Sequence, residues 1–316
     1  MNAITQQKLI AVSFSCLIGW AFTFLATNVF RDYATGLFIW LPIVMGITST
    51  ILFGYKYPDK KKTMRNLSFL ALLIYCIGIL ALAIDGFVCL LMAAPLGFVL
   101  VYIGYLVGYH FFLKSKIKSN TSATIIILIL SVPALMAFES IITVKNDIRS
   151  ITTKIEIDAP PEIVWKNVIE FPELNEPTEL IFKTGIAYPI SANISGHGVG
   201  AIRNCNFSTG SFVEPITVWD EANLLRFDVI KQPEPMKEVS FYTNIHPPHL
   251  NGFWVSEQGQ FKLTKLPNGH TLLEGTTWYK NKIKPEFYWA FWSDYIVHKI
   301  HERVLSHIKT QSEIKR

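Results

Sequence analysis

Asp294, His298 and His301 are spaced i, i+4, i+7 in the segment that follows Pro285, so on a helix they project from one stripe. Two imidazoles and a carboxylate suit zinc or ferrous iron. They also suit general acid–base chemistry, with Asp294 tuning an imidazole, and they suit plain hydrogen bonding in a helix flank. His246-Pro-Pro-His249, in a loop between two expected strands, would add donors from across a cavity mouth. A second group contains His197, Arg203, Cys205 and Glu214. Arg203 and Cys205 are two residues apart on one expected strand and so share a face; Glu214 falls on the next strand, within reach of Arg203. Facing a cavity, the Arg–Glu pair would anchor a ligand carboxylate or carbonyl. Facing outward, it would be a solvated cross-strand bridge. Cys205 as a nucleophile would need an adjacent base, which the spacing does not supply.

The glycine-rich run Ser195-Gly-His-Gly-Val-Gly200 precedes a strand, not a helix, so it is no dinucleotide fingerprint. Gly196, His197 and Gly198 read instead as a bend or a gating loop over a cavity entrance. No P-loop, cysteine-rich zinc pattern or nucleophile elbow is present. Aromatic residues crowd the end of the chain (Trp278, Tyr279, Phe287, Tyr288, Trp289, Phe291, Trp292, Tyr295). Trp289 and Trp292 are candidates to line an apolar pocket, or to rest among lipid headgroups.

These residues follow a chain half of a different kind. Residues 1–143 read as a transmembrane domain with helices at about 9–30, 37–55, 67–84, 87–113 and 121–142, each near the roughly 20 residues that cross a bilayer core. Glu139 is the one carboxylate inside these runs. Residues 1–143 carry a net charge of +6 and residues 144–316 a net of −1, which together give the +5 of the chain. The basic balance is therefore no sign of nucleic-acid binding. Positive charge concentrates in Lys56, Lys60, Lys61, Lys62 and Arg65, and in Lys114, Lys116 and Lys118, and loops of this kind stay cytoplasmic. The Arg31–Asp32 and Asp85–Gly86 turns have no net positive charge. Five crossings place the N-terminus inside and the C-terminal domain outside, in a plasma or cytoplasmic membrane. On that topology Asp85 and Glu139 lie toward the outer side. Cys16, Cys76 and Cys89 fall in the spans and Cys205 stands alone in the C-terminal half, so redox compartment is undetermined.

After a linker at 144–150, residues 151–311 read as one α+β domain, with a tail at 312–316. Ile151, Thr153, Ile155 and Ile157 alternate as one face of a strand. Asp158-Ala159-Pro160-Pro161 opens a helix. Strands are expected over 181–188, 198–207, 211–219, 224–230, 237–245, 253–266 and 271–282, with Pro267-Asn268-Gly269 as a tight hairpin turn. A last helix runs from Pro285 to about residue 311, with Trp289, Ile296, Ile300, Val304 and Ile308 along one side.

The order strand, helix, antiparallel strands, long C-terminal helix resembles the START-like (SRPBCC, polyketide-cyclase-like) superfamily. The opening Ile155-Glu-Ile-Asp-Ala-Pro-Pro-Glu-Ile-Val-Trp165 is similar to that superfamily's entry into its first helix. Gly185-Ile-Ala-Tyr-Pro189, the run from Gly198 to Pro215 and Cys89-Leu-Leu-Met-Ala-Ala-Pro95 resemble a group of membrane-anchored members. The resemblance implies a helix-grip fold, in which an antiparallel sheet wraps the last helix around an apolar cavity. It says little about reaction, because fold does not fix function. The expected activity is membrane-tethered binding of a hydrophobic small molecule or lipid in the cavity of this START-like domain. Arg203, Cys205, Glu214, His246, His249, Trp289, Trp292, His298 and His301 are the candidate ligand contacts. No cofactor or nucleic acid is implied, and a protein partner is not specified. The alternatives are a cyclase- or hydrolase-type enzyme built on Asp294, His298 and His301, and a membrane sensor or assembly factor acting through a partner protein.

Overall fold

A computed structural model describes residues 2–30, 33–114, 121–141, 147–242 and 245–314. Arg31, Asp32, Lys116, Lys118, residues 144–146 of the linker and the last two residues of the tail lie outside the described residues. The chain divides into two compact units. The first holds residues 1–145 together with Glu238–Pro248 and Ile283–Pro285; the second holds the remainder.

The first unit is helical: α1 (Ala3–Phe24), α2 (Leu41–Gly54), α3 (Lys61–Ala81), α4 (Phe87–Val107) and α5 (Thr121–Ile141). Asn2 caps α1 by accepting from the Thr5 amide at 2.9 Å. π-helical turns extend α1 through Phe30 and α4 through Lys114, and lead into α2 from Gly36. Four helical stretches are long and apolar enough to cross a membrane: Ala3–Phe30, Gly36–Gly54, Lys61–Ala81 and Phe87–Lys114. α5 is apolar over a shorter described stretch, Ala123–Glu139. α3 begins before its apolar run does, so Lys61, Lys62 and Arg65 occupy its first turns. Leu17, Leu73, Leu91 and Phe111 are exposed on the outside of the helices, as lipid-facing side chains would be.

α2 is nearly encased, and glycine makes that possible. A Cβ on Gly46 would come within 2.4 Å of the Val101 carbonyl oxygen, and one on Gly104 within 2.3 Å of that of Ile43. α2 and α4 therefore touch backbone to backbone, the small-residue packing favoured between membrane helices. Polar side chains tie the helices further. Ser68 bonds Ser49 at 2.9 Å and Thr50 at 3.2 Å, and the Trp20 indole donates to the Tyr75 carbonyl at 3.0 Å. Glu139 accepts from the Gly36 amide at 2.8 Å.

The second unit has a seven-stranded antiparallel sheet: β1 (Arg149–Ile157), β2 (Pro189–Ser195), β3 (Ile202–Phe207), β4 (Gly210–Asp220), β5 (Leu224–Asp228), β6 (Trp254–Lys265) and β7 (Thr271–Asn281). Their order is β1-β7-β6-β5-β4-β3-β2. Register shifts at Pro189/Ser191, Ile216/Val218 and Ser256/Gln258 bend the strands. α6 (Pro161–Ile169), the short α7 (Leu180–Lys183) and the long α8 (Glu286–Glu313) complete the unit. Val304, Leu305 and Ile308 of α8 and Val164, Trp165 and Val168 of α6 share one core with Ile157, Ile216, Leu225, Phe227, Phe261, Leu263 and Leu273 of the sheet. A sheet that grips its C-terminal helix in this order is a helix-grip fold.

Two expected strands are absent. Over 181–188 the chain makes α7, then turns at Gly185 (φ 109) and enters the sheet at Pro189. Among the described residues of 237–245 no strand forms. Prolines 233, 235, 247 and 248 remove amide donors around it, and the connection from β5 to β6 instead contributes Glu238–Pro248 to the helical unit. The Asn268–Gly269 hairpin forms as expected, with Gly269 at φ 83.

Candidate functional site

β1 and β7 lie side by side against α8, and this layer holds the most chemistry-bearing residues of the helix-grip unit. Thr153 Oγ1 lies 2.8 Å from His298 Nδ1 and 3.1 Å from His301 Nδ1. His301 Nε2 is 2.8 Å from Thr277 Oγ1, and His298 Nε2 is 3.1 Å from Glu302 Oε1. A hydroxyl has one proton to give, so the Glu302 carboxylate sets the direction of the whole chain. His298 donates to Glu302, Thr153 donates to His298, His301 Nδ1 donates to Thr153, and Thr277 donates to His301 Nε2. Burial, with His298 nearby, pushes the His301 pKa down to about 4, so this imidazole is neutral at physiological pH. Charging His298 would reverse the chain and switch the His301 tautomer. The arrangement can therefore pass a proton from the half-exposed His298–Glu302 pair through Thr153 and His301 to the half-buried Thr277.

Asp294 takes no part in that chain. It accepts from Arg149 Nη2 at 2.8 Å and from the Tyr279 hydroxyl. The register explains this: β1–β7 pairing sets Arg149 directly opposite Tyr279, and Asp294 sits one helical turn before His298. The expected Asp294–histidine couple is thus replaced by an Arg149–Asp294–Tyr279 triad. The three helix residues do not present a common ligand face. Sequence reasoning missed Thr153, Thr277, Arg149 and Tyr279, although Thr153 had a signal as the polar member of an otherwise isoleucine face.

Arg203 and Glu214 stand opposite each other on β3 and β4 and form a buried ion pair. Arg203 is 1% exposed, donates through Nε to the Ile169 carbonyl at 3.1 Å, and lies 5.3–5.7 Å from the ring centres of Phe171, Phe227 and Phe261. Burial raises the Glu214 pKa against the opposing pull of Arg203. Cys205, on the same inward face, is pushed up to about 12 by burial and by Glu214, so it stays a thiol. Around Gly196 (φ 93), Gly198 (φ 79) and Gly200 (φ 91), the bend holds the His197 ring 4.6 Å from Trp219. The amide of Gly200 bonds Ile216, which fastens that bend to β4.

Trp289 is buried, and the buried indole N–H of Trp292 has no hydrogen-bond partner among the described residues. His249 is buried in the 3-10 turn Pro248–Leu250. His246 belongs to the helical unit. There it lines a cavity of about 520 Å³ with Phe24, Thr27 and Asn28 from the end of α1, residues 82–84 from the α3–α4 turn, and Ile245, Pro247 and Pro248.

No family model matches the chain, and no curated protein matches it. Among solved structures, a protein from Nitrosospira multiformis is 19% identical, over 53% of this chain and 100% of its own, with a TM-score of 0.34. Norcoclaurine synthase from Thalictrum flavum is 15% identical over 55% of this chain and 98% of its own, at 0.35. A protein from Mesorhizobium loti is 12% identical over 53% and 99%, at 0.32. At these scores the likenesses carry no functional argument. The helix-grip assignment rests on the strand order and the packing of α8.

Proposed function

We propose that this protein is a membrane-tethered binder of a hydrophobic small molecule or lipid. The observation that carries the reading is the cavity of about 520 Å³, inside the usual range for small-molecule sites, roughly 300–1,000 Å³. Apolar side chains (Phe24, Leu82, Ala83, Ile84, Ile245 and two prolines) share its wall about equally with polar surface, where Thr27, Asn28 and His246 would orient a ligand. The wall joins the end of a spanning helix to a segment lent by the β5–β6 connection of the helix-grip domain. A ligand that partitions into the bilayer meets a tethered site at high effective concentration. Photolabelling of the full-length protein with a diazirine fatty acid, followed by peptide mapping, tests this. Label should concentrate at 24–28, 82–84 and 245–248, and Leu82→Trp should reduce it several-fold. Label spread evenly over the spanning helices, unchanged by Leu82→Trp, would refute a defined site.

The same reading places the helix-grip domain on the extracytoplasmic side. Lys284 N donates to the Tyr33 carbonyl at 2.8 Å, Phe87 N to that of Val239 at 2.8 Å, and the Tyr242 hydroxyl to that of Ala81 at 2.7 Å. Residues 238–248 and 283–285 thus pack beside the α1–α2 and α3–α4 turns, which alternating spans put on one face. The lysine-rich α2–α3 turn falls on the opposite, cytoplasmic face. A cysteine introduced at Ser240 should react with a membrane-impermeant maleimide in intact cells, while one at Lys60 should react only after lysis. The reverse pattern would invert the topology.

A further inference from the structure

The α3–α4 turn carries a second constellation that the proposed ligand site does not use. Asp85 stands just before α4 and Cys89 in its first turn, four residues apart, so carboxylate and thiol fall on one side of the helix start. Glu238 reaches the same place from the β5–β6 connection. It is held there by its neighbour Val239, whose carbonyl accepts from the Phe87 amide at 2.8 Å. Gly86 makes room: a Cβ at this position would lie 1.8 Å from Glu238 Oε2. Glu238 is 6% exposed. One ligand atom from each of Asp85, Cys89 and Glu238 lies within 4.8 Å of the others.

We propose that Asp85, Cys89 and Glu238 form a binding site for a divalent transition-metal ion of the zinc class. The donor set selects the ion: a thiolate favours zinc and its neighbours over magnesium or calcium, and two carboxylates suit a borderline cation. Proton counting points the same way. The Cys89 thiol is hydrogen-bonded to both carboxyl groups, yet it has one proton to share between them. Three acidic groups gathered out of water are costly to charge, and a dication offsets that cost while releasing the thiol proton to solvent. Asp85 Oδ1 already accepts from the Gly86 amide at 2.7 Å, which orients the carboxylate. Three protein ligands leave a coordination position for water or another donor. The ion would clamp residues 238–248 to the α3–α4 turn. It stands independently of the ligand proposed above, because it needs only these three side chains.

The test is a Co²⁺ titration of full-length, EDTA-stripped protein in mild detergent, followed by displacement with Zn²⁺. One equivalent of Co²⁺ should produce a thiolate-to-cobalt charge-transfer band with tetrahedral d–d absorption, both abolished by one equivalent of Zn²⁺. Cys89→Ser should remove the charge-transfer band. Glu238→Gln and Asp85→Asn should weaken binding roughly tenfold or more while leaving the gel-filtration profile unchanged. Because Cys89→Ser also alters the first turn of α4, the near-isosteric Glu238→Gln is the deciding variant. Absence of stoichiometric cobalt binding overturns the site. So does a charge-transfer band that survives Cys89→Ser, or wild-type affinity in Glu238→Gln.

Discussion

Arg203→Met lowers the stability of the helix-grip domain by about 3–5 kcal/mol, the range for removing one partner of a buried ion pair. The substitution roughly keeps side-chain volume, so the loss is electrostatic more than steric. It leaves the Glu214 carboxyl in the core without its guanidinium, and it takes away the donor to the Ile169 carbonyl. The three phenylalanine rings around Arg203 lose the cation they surround. The second half of the prediction concerns the pair. Arg203→Met combined with Glu214→Leu should recover most of the loss, because replacing both members with apolar groups is often neutral or stabilising. Urea unfolding of the full-length protein, followed by tryptophan fluorescence, measures both variants. A single substitution that costs less than about 1 kcal/mol would place Arg203 among exposed pairs. A double variant as unstable as the single one would mean that the charges, beyond mutual satisfaction, set the β3–β4 arrangement.

Why was this pair legible in the sequence while the histidine chain was only half so? Arg203, Cys205 and Glu214 follow from period-two alternation and one hairpin at Ser208–Gly210, which are local rules. Which face was inward was not local, and Arg203 resolves it by being buried among aromatic rings. Likewise Asp294, His298 and His301 share a stripe by helical spacing, but Arg149 and Thr153, which decide their roles, come from a strand more than a hundred residues earlier. Arg149 draws Asp294 away, and Thr153 bridges the two imidazoles. No spacing rule encodes a β1–β7–α8 layer. The apolar runs of residues 1–143 were readable because lipid imposes one strong constraint on a backbone. The segment 237–245 misled for the opposite reason. It has the alternation of a strand, but the prolines that flank it and its place in the helical unit override that pattern. For the same reason Glu238 could not be joined to Asp85 and Cys89 before the fold was known.

The buried imidazole of His301 makes stability fall as the solution is acidified. In the folded domain its pKa is about 4, against 6.5 for an ordinary histidine. Between those values the unfolded chain takes up a proton that the native state refuses, so the native state loses ground as pH drops. The contribution is fully present above about 6.5, declines between 6.5 and about 4, and is constant below that. A displacement of this size corresponds to roughly 3 kcal/mol over the window. His307 adds to it with the same sign, because burial and the nearby Arg303 lower its pKa as well. Glu214 acts in the opposite sense: its raised pKa gives stability at low pH that is lost as pH rises through the carboxylate range. Among the groups around His301, Thr153 and Thr277 do not titrate in this window, and His298 faces Glu302. The decisive comparison is therefore between the wild-type protein and His301→Gln, with unfolding midpoints measured from pH 7.5 to 4.5. Glutamine can still bridge the two threonines and has no proton to gain. The wild-type curve should fall steeply below pH 6.5 and the variant curve should be markedly flatter, the two lying closest at pH 7.5 and diverging toward pH 4.5. Parallel curves would show that His301 takes up protons in the native state, and the Thr277–His301–Thr153–His298 chain would then have to carry a charge at its centre.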